Sequence, residues 1–201
     1  MTKLQDRPIL TNTNPIEIER ACNEIRKQLA TMTWLSHPYF IAQRFFKKDA
    51  ETGKRFVYPE TYAPVIENDG DFNNKSYHRL TPDNDYSGMC FFMVGKGLND
   101  YNDNEYNFLK HKVGIIFSVN LKLIDEAKLE KGLFTQELIR EARRKLTESP
   151  VLFDFKYKIE SETRDLREVY REFSLDELEK YNRAPLQCFR FDLEVTVEEE
   201  C

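Results

Sequence analysis

Alternation of apolar and polar residues is clearest near the C-terminal end of the chain, over residues 187–197. From Phe189 onward, one parity of this stretch is wholly apolar: Phe189, Phe191, Leu193, Val195 and Val197. The intervening positions are polar: Arg190, Asp192, Glu194 and Thr196. A period of two residues is typical of a strand that buries one face. The pattern predicts a closing strand over 188–197 whose apolar face belongs to the core.

The same alternation occurs at two earlier places in the chain. It predicts one strand over 112–124 and another amphipathic strand over 151–160. A continuous apolar run at 89–94 predicts a further strand just before the first of these.

Two aromatic and β-branched runs, 39–46 and 54–58, are separated by the polar segment 47–53, which ends in glycine. Aromatic and β-branched residues favour strands, and a short polar loop with glycine is typical of a hairpin. These runs therefore predict a β-hairpin.

Helical spacing of apolar residues occurs over 14–34 and again over Phe134–Thr147. Asn14 and Pro15 suit the N-cap and the first helical position of the earlier segment. Each segment therefore predicts an amphipathic helix with one buried stripe.

The segment between the last two predicted strands allows two interpretations. Residues 164–173 fit either helical spacing or a short returning strand. Ser174 and Glu177 form a capping box, which predicts a short helix leading to the closing strand.

The order of these elements predicts an α+β fold, with a mainly antiparallel sheet and helices packed on one face. We expect a single domain over 14–198, with tails at 1–13 and 199–201. Its polar segments 64–87 and 98–111 are predicted to be long loops that contact neighbouring subunits or another protein.

Composition narrows the class of protein. The chain has 201 residues, is 40% hydrophobic and carries a net charge of −5, with acidic and basic residues intermixed. Such a chain buries enough apolar surface to fold, and it offers no basic stripe for tight nucleic-acid binding. No signal-peptide pattern or membrane-length apolar run occurs, so we expect a cytosolic protein or one assembled in the cytosol.

Four cysteines, Cys22, Cys90, Cys188 and Cys201, lie too far apart for a local metal site. In an intracellular chain this pattern favours free thiols.

Residues 83–88 resemble the first half of a calcium loop, with Asp83 and Asp85 as oxygen donors and Gly88 at the sixth position. The twelfth position is Val94, where such a loop needs a bidentate carboxylate. The stretch is therefore interpreted as a turn rich in Asp and Asn.

Gly95, Lys96 and Gly97 show part of a phosphate-binding pattern. That pattern needs an earlier glycine where Cys90 stands and a Ser or Thr after the lysine. These glycines are interpreted as residues that leave a strand.

His37, His78 and His111 are too widely spaced for a local metal cluster. A thiol nucleophile paired with histidine, as Cys90 with His111 or Cys188 with His78, requires tertiary proximity. We interpret all three histidines as ordinary surface or core residues.

Asp154 and Lys156 form an acidic-x-Lys pair of the type that one class of nucleases uses to hold Mg²⁺ and position water. No second acidic residue stands on an adjoining turn, and Lys158 and Glu160 continue the same polar face. A solvated strand face is the preferred interpretation.

The order of helix 14–34, hairpin, long loop, strand 112–124, helix Phe134–Thr147 and closing strand 188–197 resembles the tail-terminator and head–tail joining proteins of tailed bacteriophages. It is most similar to the neck ring proteins of crAss-like phages. The resemblance rests on element order and on the Asn-, Asp- and Tyr-rich loops.

The resemblance implies a structural virion protein, assembled in the host cytoplasm, and not an enzyme. It implies a tail-terminator-like fold and no catalytic, cofactor or metal residues. Such subunits commonly form sixfold or twelvefold rings that contact neighbouring neck, portal or tail proteins and have no membrane partner. DNA passes through the lumen, and an acidic balance suits this because a lumen that gripped phosphates would hold the DNA.

Two alternatives remain open at this point. One is a small DNA-processing enzyme, a metal-dependent nuclease, with Asp154 and Lys156 as its candidate residues. The other is an adaptor protein that recruits partners through its Tyr-rich loops.

Overall fold

A computed structural model describes residues 17–64, 75–100, 108–129, 132–148, 155–174, 181 and 183–198. The helices are α1 Glu17–Leu29, α2 Leu121–Asp125, α3 Phe134–Thr147 and α4 Leu166–Val169. The strands are β1 His37–Ile41, β2 Gln43–Lys48, β3 Arg55–Pro64, β4 Lys75–Arg79, β5 Gly88–Asp100, β6 Phe108–Asn120, β7 Phe155–Thr163 and β8 Leu186–Glu198.

The strands form two sheets. The larger has five strands in the order β1-β5-β6-β8-β7, and the smaller has three in the order β2-β3-β4. All pairs are antiparallel except β1 with β5. The prediction of an α+β fold with a mainly antiparallel sheet is confirmed.

Helices α1 and α3 cover one face of the five-stranded sheet. Trp34, just after α1, packs against Phe117 and Phe189, with ring centroids 6.2 and 6.5 Å away. The Tyr157 hydroxyl on β7 donates to the Leu146 carbonyl at the end of α3. This face is also the apolar face of β8, because its five odd-numbered residues from 189 to 197 are buried.

The N-terminal helix ends earlier than predicted, at Leu29 instead of Trp34. Over its described residues, Glu17–Leu29, the buried stripe includes Ile18, Cys22, Ile25 and Leu29. Asn14 and Pro15, the predicted cap, lie outside the described residues. Helix α3 has the predicted bounds.

The opposite face of the sheet contacts α4 and the residues that follow it. Phe173 lies 6.3 Å from the Phe91 ring on β5, and Tyr170 is buried beside Cys188 on β8. Ser174 forms an isolated antiparallel bridge with Val57 on β3, which joins the smaller sheet to the segment after α4. The ambiguous segment 164–173 thus contains a short helix, which the Asp165 side chain caps by accepting from the backbone amide of Arg167.

Strand β6, Phe108–Asn120, ends four residues before the end of the predicted strand 112–124. It ends at Asn120, whose side chain accepts from the Lys122 amide and begins α2. Apolar residues at 121 and 123 continue the alternation. The alternation therefore predicted a strand end that lies beyond the observed one.

Strands occupy parts of both predicted loops. Strand β4 lies within 64–87, and β5 and β6 extend into 98–111, so the loop prediction is wrong for those residues. Residues 65–74 and 101–107 lie outside the described part of the chain, as do Glu177 of the capping box, residues 1–13 and residues 199–201.

Candidate assembly surface

The predicted hairpin exists, but it begins later than the aromatic run suggested. Residues 39–41 belong to β1, in the five-stranded sheet, and within the aromatic run only the residues of β2 pair with β3. We call residues 43–58, which comprise β2, the turn and the first part of β3, the arm.

The turn of the arm is fixed by Asp49 and Gly53. The Asp49 carboxylate accepts from the backbone amide of Thr52 at 2.7 Å and from that of Glu51 at 3.1 Å. The hydrogen bonds from Thr52 lower the pKa of this carboxyl group. Gly53 has a φ of 67°, a conformation that favours glycine. The sequence therefore encodes the turn locally.

All six residues of β2 are exposed. Phe45 is 43% exposed and Phe46 is 63% exposed. Successive side chains on a strand point to opposite faces, so the two rings lie on opposite sides of the arm. An aromatic pair presented in this way has no role in the core of the described chain.

The base of the arm is anchored. Tyr58 is buried, and the Arg79 guanidinium lies 4.3 Å from the centre of its ring. The backbone amide of Val57 donates to the Ser174 carbonyl at 3.2 Å, and the Ser174 amide donates to the Val57 carbonyl at 3.1 Å. The exposed strand is therefore carried on a fixed support.

Strand β2 is an edge of its sheet. Because the amide and carbonyl of Val57 point toward Ser174, Val57 and its partner Phe46 form a pair that exchanges no hydrogen bonds. The backbone groups of Phe46 consequently point away from β3. Such an edge can accept another strand.

The arm is basic although the chain is acidic. Its cations are Arg44, Lys47, Lys48, Lys54 and Arg55, against the two acidic residues Asp49 and Glu51. All five cations are exposed, and no salt bridge to them occurs within the described ranges. The Lys54 ammonium lies over the Phe56 ring, 5.1 Å from its centre. The arm thus combines two exposed aromatic rings with positive charge that no salt bridge among the described residues neutralises.

The structure brings two of the three histidines into one aromatic cluster. The His37 ring stacks on Tyr86 with centroids 3.8 Å apart, and Tyr39 lies 6.0 Å from both His37 and His78. Burial lowers the pKa of His37 to about 4, and burial raises that of Tyr39. The Ser36 hydroxyl lies 2.9 Å from His37 Nδ1, but it donates its proton to the Gly88 carbonyl at 3.0 Å. The cluster packs β1 against β4 and the segment before β5.

The two postulated thiol–histidine pairs do not form. Cys90 is opposite Phe117, and His111 lies six residues further along β6, about 20 Å away at strand spacing. Cys188 contacts Tyr170 and donates to the Tyr181 carbonyl at 3.3 Å, whereas His78 lies in the other sheet. Burial raises the pKa of Cys188 to about 12, which suppresses the thiolate.

Cys22 and Cys90 are likewise buried free thiols. Burial raises the pKa of each well above that of an exposed thiol. Cys201 lies outside the described residues.

The loop and glycine motifs are structural. The Asp83 carboxylate accepts from the Asp85 amide at 2.9 Å, which is the turn expected from the sequence. Gly95 and Gly97 lie inside β5, where an irregularity in register occurs between Val94 and Gly97, so they do not leave the strand as predicted.

Lys156 is exposed on β7, opposite Thr196, and Asp154 lies outside the described residues. The neighbouring polar side chains form ion pairs across the sheet. Glu194 accepts from Lys158 at 2.9 Å and from Lys112 at 3.1 Å. Glu160 also contacts the Lys112 ammonium, so the two carboxylates converge on a lysine and the charges neutralise one another.

Arg190 belongs to the polar parity of β8, yet it is buried, with 2% of its surface exposed. It donates to both carboxylate oxygens of Glu172, at 2.5 and 2.7 Å, and to Asp192 at 2.8 Å. Burial disfavours its charge, but these partners outweigh that cost and raise its pKa. Gly114 makes the room: a Cβ there would lie 2.2 Å from the Arg190 guanidinium.

Glycine within the alternating pattern of β6 was the available sequence signal for this arrangement, since an isolated strand glycine often marks a close approach. The exposed arm had no comparable signal. Its adjacent aromatic pair, Phe45 and Phe46, is of the same kind as the pair Tyr39 and Phe40 in β1.

No family model matches this chain, and neither curated proteins nor solved structures show a significant match to it. None of the described helices is long and apolar enough to cross a membrane. Within the described ranges no group of three or more His, Cys, Asp or Glu residues is arranged to hold a metal ion.

Proposed function

We propose that this protein is a structural subunit that assembles into a ring in the head–tail neck or tail of a tailed bacteriophage. The ring would lie in the virion, between neighbouring portal, neck or tail proteins. DNA would pass through its lumen. The element order, the α+β architecture and the acidic net charge of −5 support it.

The exposed arm is the observation that carries the proposal. In a monomer, the exposed rings of Phe45 and Phe46, on an anchored edge strand, add no buried apolar surface to the fold. Exposed aromatic residues of this kind are typical of surfaces that are buried in an assembly.

Negative-stain electron microscopy of the purified protein, over a range of concentrations, tests the proposal. We expect rings with sixfold or twelvefold symmetry, and mass photometry of the same samples should give the matching subunit number. A protein that stays monomeric at its highest attainable concentration contradicts self-assembly.

A nuclease assay addresses the alternative function. We expect the protein not to cut DNA with Mg²⁺ present. Cleavage that disappears in Asp154→Ala and persists in Lys54→Ala would replace the structural proposal with an enzymatic one.

A further inference from the structure

We propose that the arm is a head-to-tail docking element, which binds an acidic surface outside the arm on a second copy of this chain. This inference rests on the proposed function and specifies the contact that would build the ring. It is carried by the shape of the arm, the distribution of its charge and the like-charge repulsion that an arm-to-arm contact would create.

The shape of the arm requires an occupant that encloses it. Phe45 lies on the same face as Tyr58, its partner in register, and Phe46 lies on the opposite face with Val57. A flat partner covers one of these rings and leaves the other in water. A groove, or a strand added at the β2 edge with flanking pockets, covers both.

The charge of the arm selects an acidic occupant. Residues 43–55 carry five basic and two acidic residues, although the whole chain has a net charge of −5. The remainder of the chain is therefore more acidic than the chain as a whole. A second copy supplies the complementary charge, which favours encounter and fixes orientation.

An arm-to-arm contact conflicts with this charge. In an antiparallel pairing of two β2 edges centred on Phe46, whose backbone groups face outward, Arg44 of one copy faces Lys48 of the other. Like charges directly opposite each other on paired strands are destabilising. The contact is therefore heterologous, and a heterologous contact repeats from copy to copy until rotation closes a ring.

Nucleic acid is a poorer match for the same cations. Arg44 and Lys48 share the face of Phe46, whereas Lys47 lies on the face of Phe45. One phosphate backbone running along either face meets only part of the positive charge. An enclosing protein surface meets all of it.

The test compares self-association of the unaltered chain with that of two arm variants. The first is Phe45→Ser with Phe46→Ser, and the second is Lys47→Glu with Lys48→Glu. The control is Leu123→Ser with Leu133→Ser, which removes two other exposed apolar side chains, 50% and 71% exposed. Sedimentation velocity at low and high salt measures association, and circular dichroism verifies that each variant is folded.

We expect both arm variants to weaken association at least about thirtyfold, the effect of removing an interface hot spot. The control should associate like the unaltered chain. Salt should weaken association of the unaltered chain, because screening reduces attraction between exposed charges.

Carbodiimide cross-linking of mixed light and ¹⁵N-labelled protein locates the contact. We expect intermolecular links from Lys47, Lys48 or Lys54 to carboxylates outside the arm. The Lys47→Glu, Lys48→Glu variant should still accept the arm of an unaltered copy, so adding it to unaltered protein should shorten or open the assemblies.

The opposing outcomes are distinct. If the arm variants associate normally, the arm is not the contact, and the ring proposal stands without it. If the unaltered chain never associates, the proposed function fails and this inference fails with it. Arm-to-arm cross-links overturn the head-to-tail arrangement. Binding of a DNA duplex that the arm variants lose, with self-association unchanged, assigns the arm to nucleic acid instead.

Discussion

Strands β1 and β2 are separated by Ala42 alone, yet Tyr39 and Phe40 are 3% and 9% exposed whereas Phe45 and Phe46 are 43% and 63% exposed. Strand β1 pairs with β5 in the five-stranded sheet, and the Ala42 amide still donates to the Phe92 carbonyl. After that residue the chain leaves this sheet and pairs with β3 only. Similar aromatic residues thus stabilise the fold in β1 and remain available for a partner in β2.

A matched pair of truncations gives the largest expected difference. Phe40→Ala should lower the free energy of unfolding by about 3–5 kcal/mol, because it removes a buried ring from the core. Phe46→Ala should change it by no more than about 0.5 kcal/mol, as an exposed substitution. Urea denaturation at a concentration where the chain is monomeric measures both, and equal losses would show that β2 belongs to the core.

Basic side chains, like the aromatic ones, occur both in the interior and on the exposed arm: Arg190 is buried and Arg44 is exposed. Gly114→Ala should cost about 1–3 kcal/mol, because its methyl group displaces the Arg190 guanidinium from Glu172 and Asp192. Gly132→Ala is the control, since nothing lies within 4 Å of the added carbon. Similar melting temperatures for the two variants would mean that Arg190 has room to rearrange.

His37, at the start of β1, makes the stability of the fold around β1 depend on pH. Its pKa is lowered from 6.5 to about 4, mainly by burial, with Asp83 opposing the shift and His78 adding to it. The unfolded chain binds the proton first, so the stability from neutral His37 is complete above pH 6.5 and is lost as the pH falls toward 4. His37→Gln should flatten the melting temperature over that window. An unchanged slope would place the proton uptake at another residue.

The smallest expected effect concerns the exposed ion pairs beside β8. Hydrogen bonds from Lys158, then Lys112, lower the pKa of Glu194 from 4.5 to about 2. Stability from the Glu194 carboxylate is therefore present above pH 4.5 and is lost as the pH falls toward 2. Glu194→Gln should reduce the slope of melting temperature in that interval. Replacing both lysines by methionine should do the same, and failure of the lysine variant would contradict the stated cause.

Local patterns predicted the regular elements with one buried face. The stripe of α1, the bounds of α3 and the alternation of β8 follow from burial at one side of a periodic element. The same patterns failed where a boundary depends on distant contacts. Strand β6 ends at Asn120 because that side chain caps α2, although apolar residues continue the alternation.

By itself, the sequence determined the α+β class, the closing strand, the main helices and the hairpin turn, because each rests on neighbouring residues and the period of a helix or strand. The tertiary structure alone decided that Arg190 is buried under Gly114, that His37 and His78 share an aromatic cluster, and that Phe40 lies inside while Phe46 lies outside. These outcomes depend on which strands become neighbours. Strand pairing joins residues far apart in the chain. The local pattern of an aromatic run therefore does not predict whether its side chains will be buried.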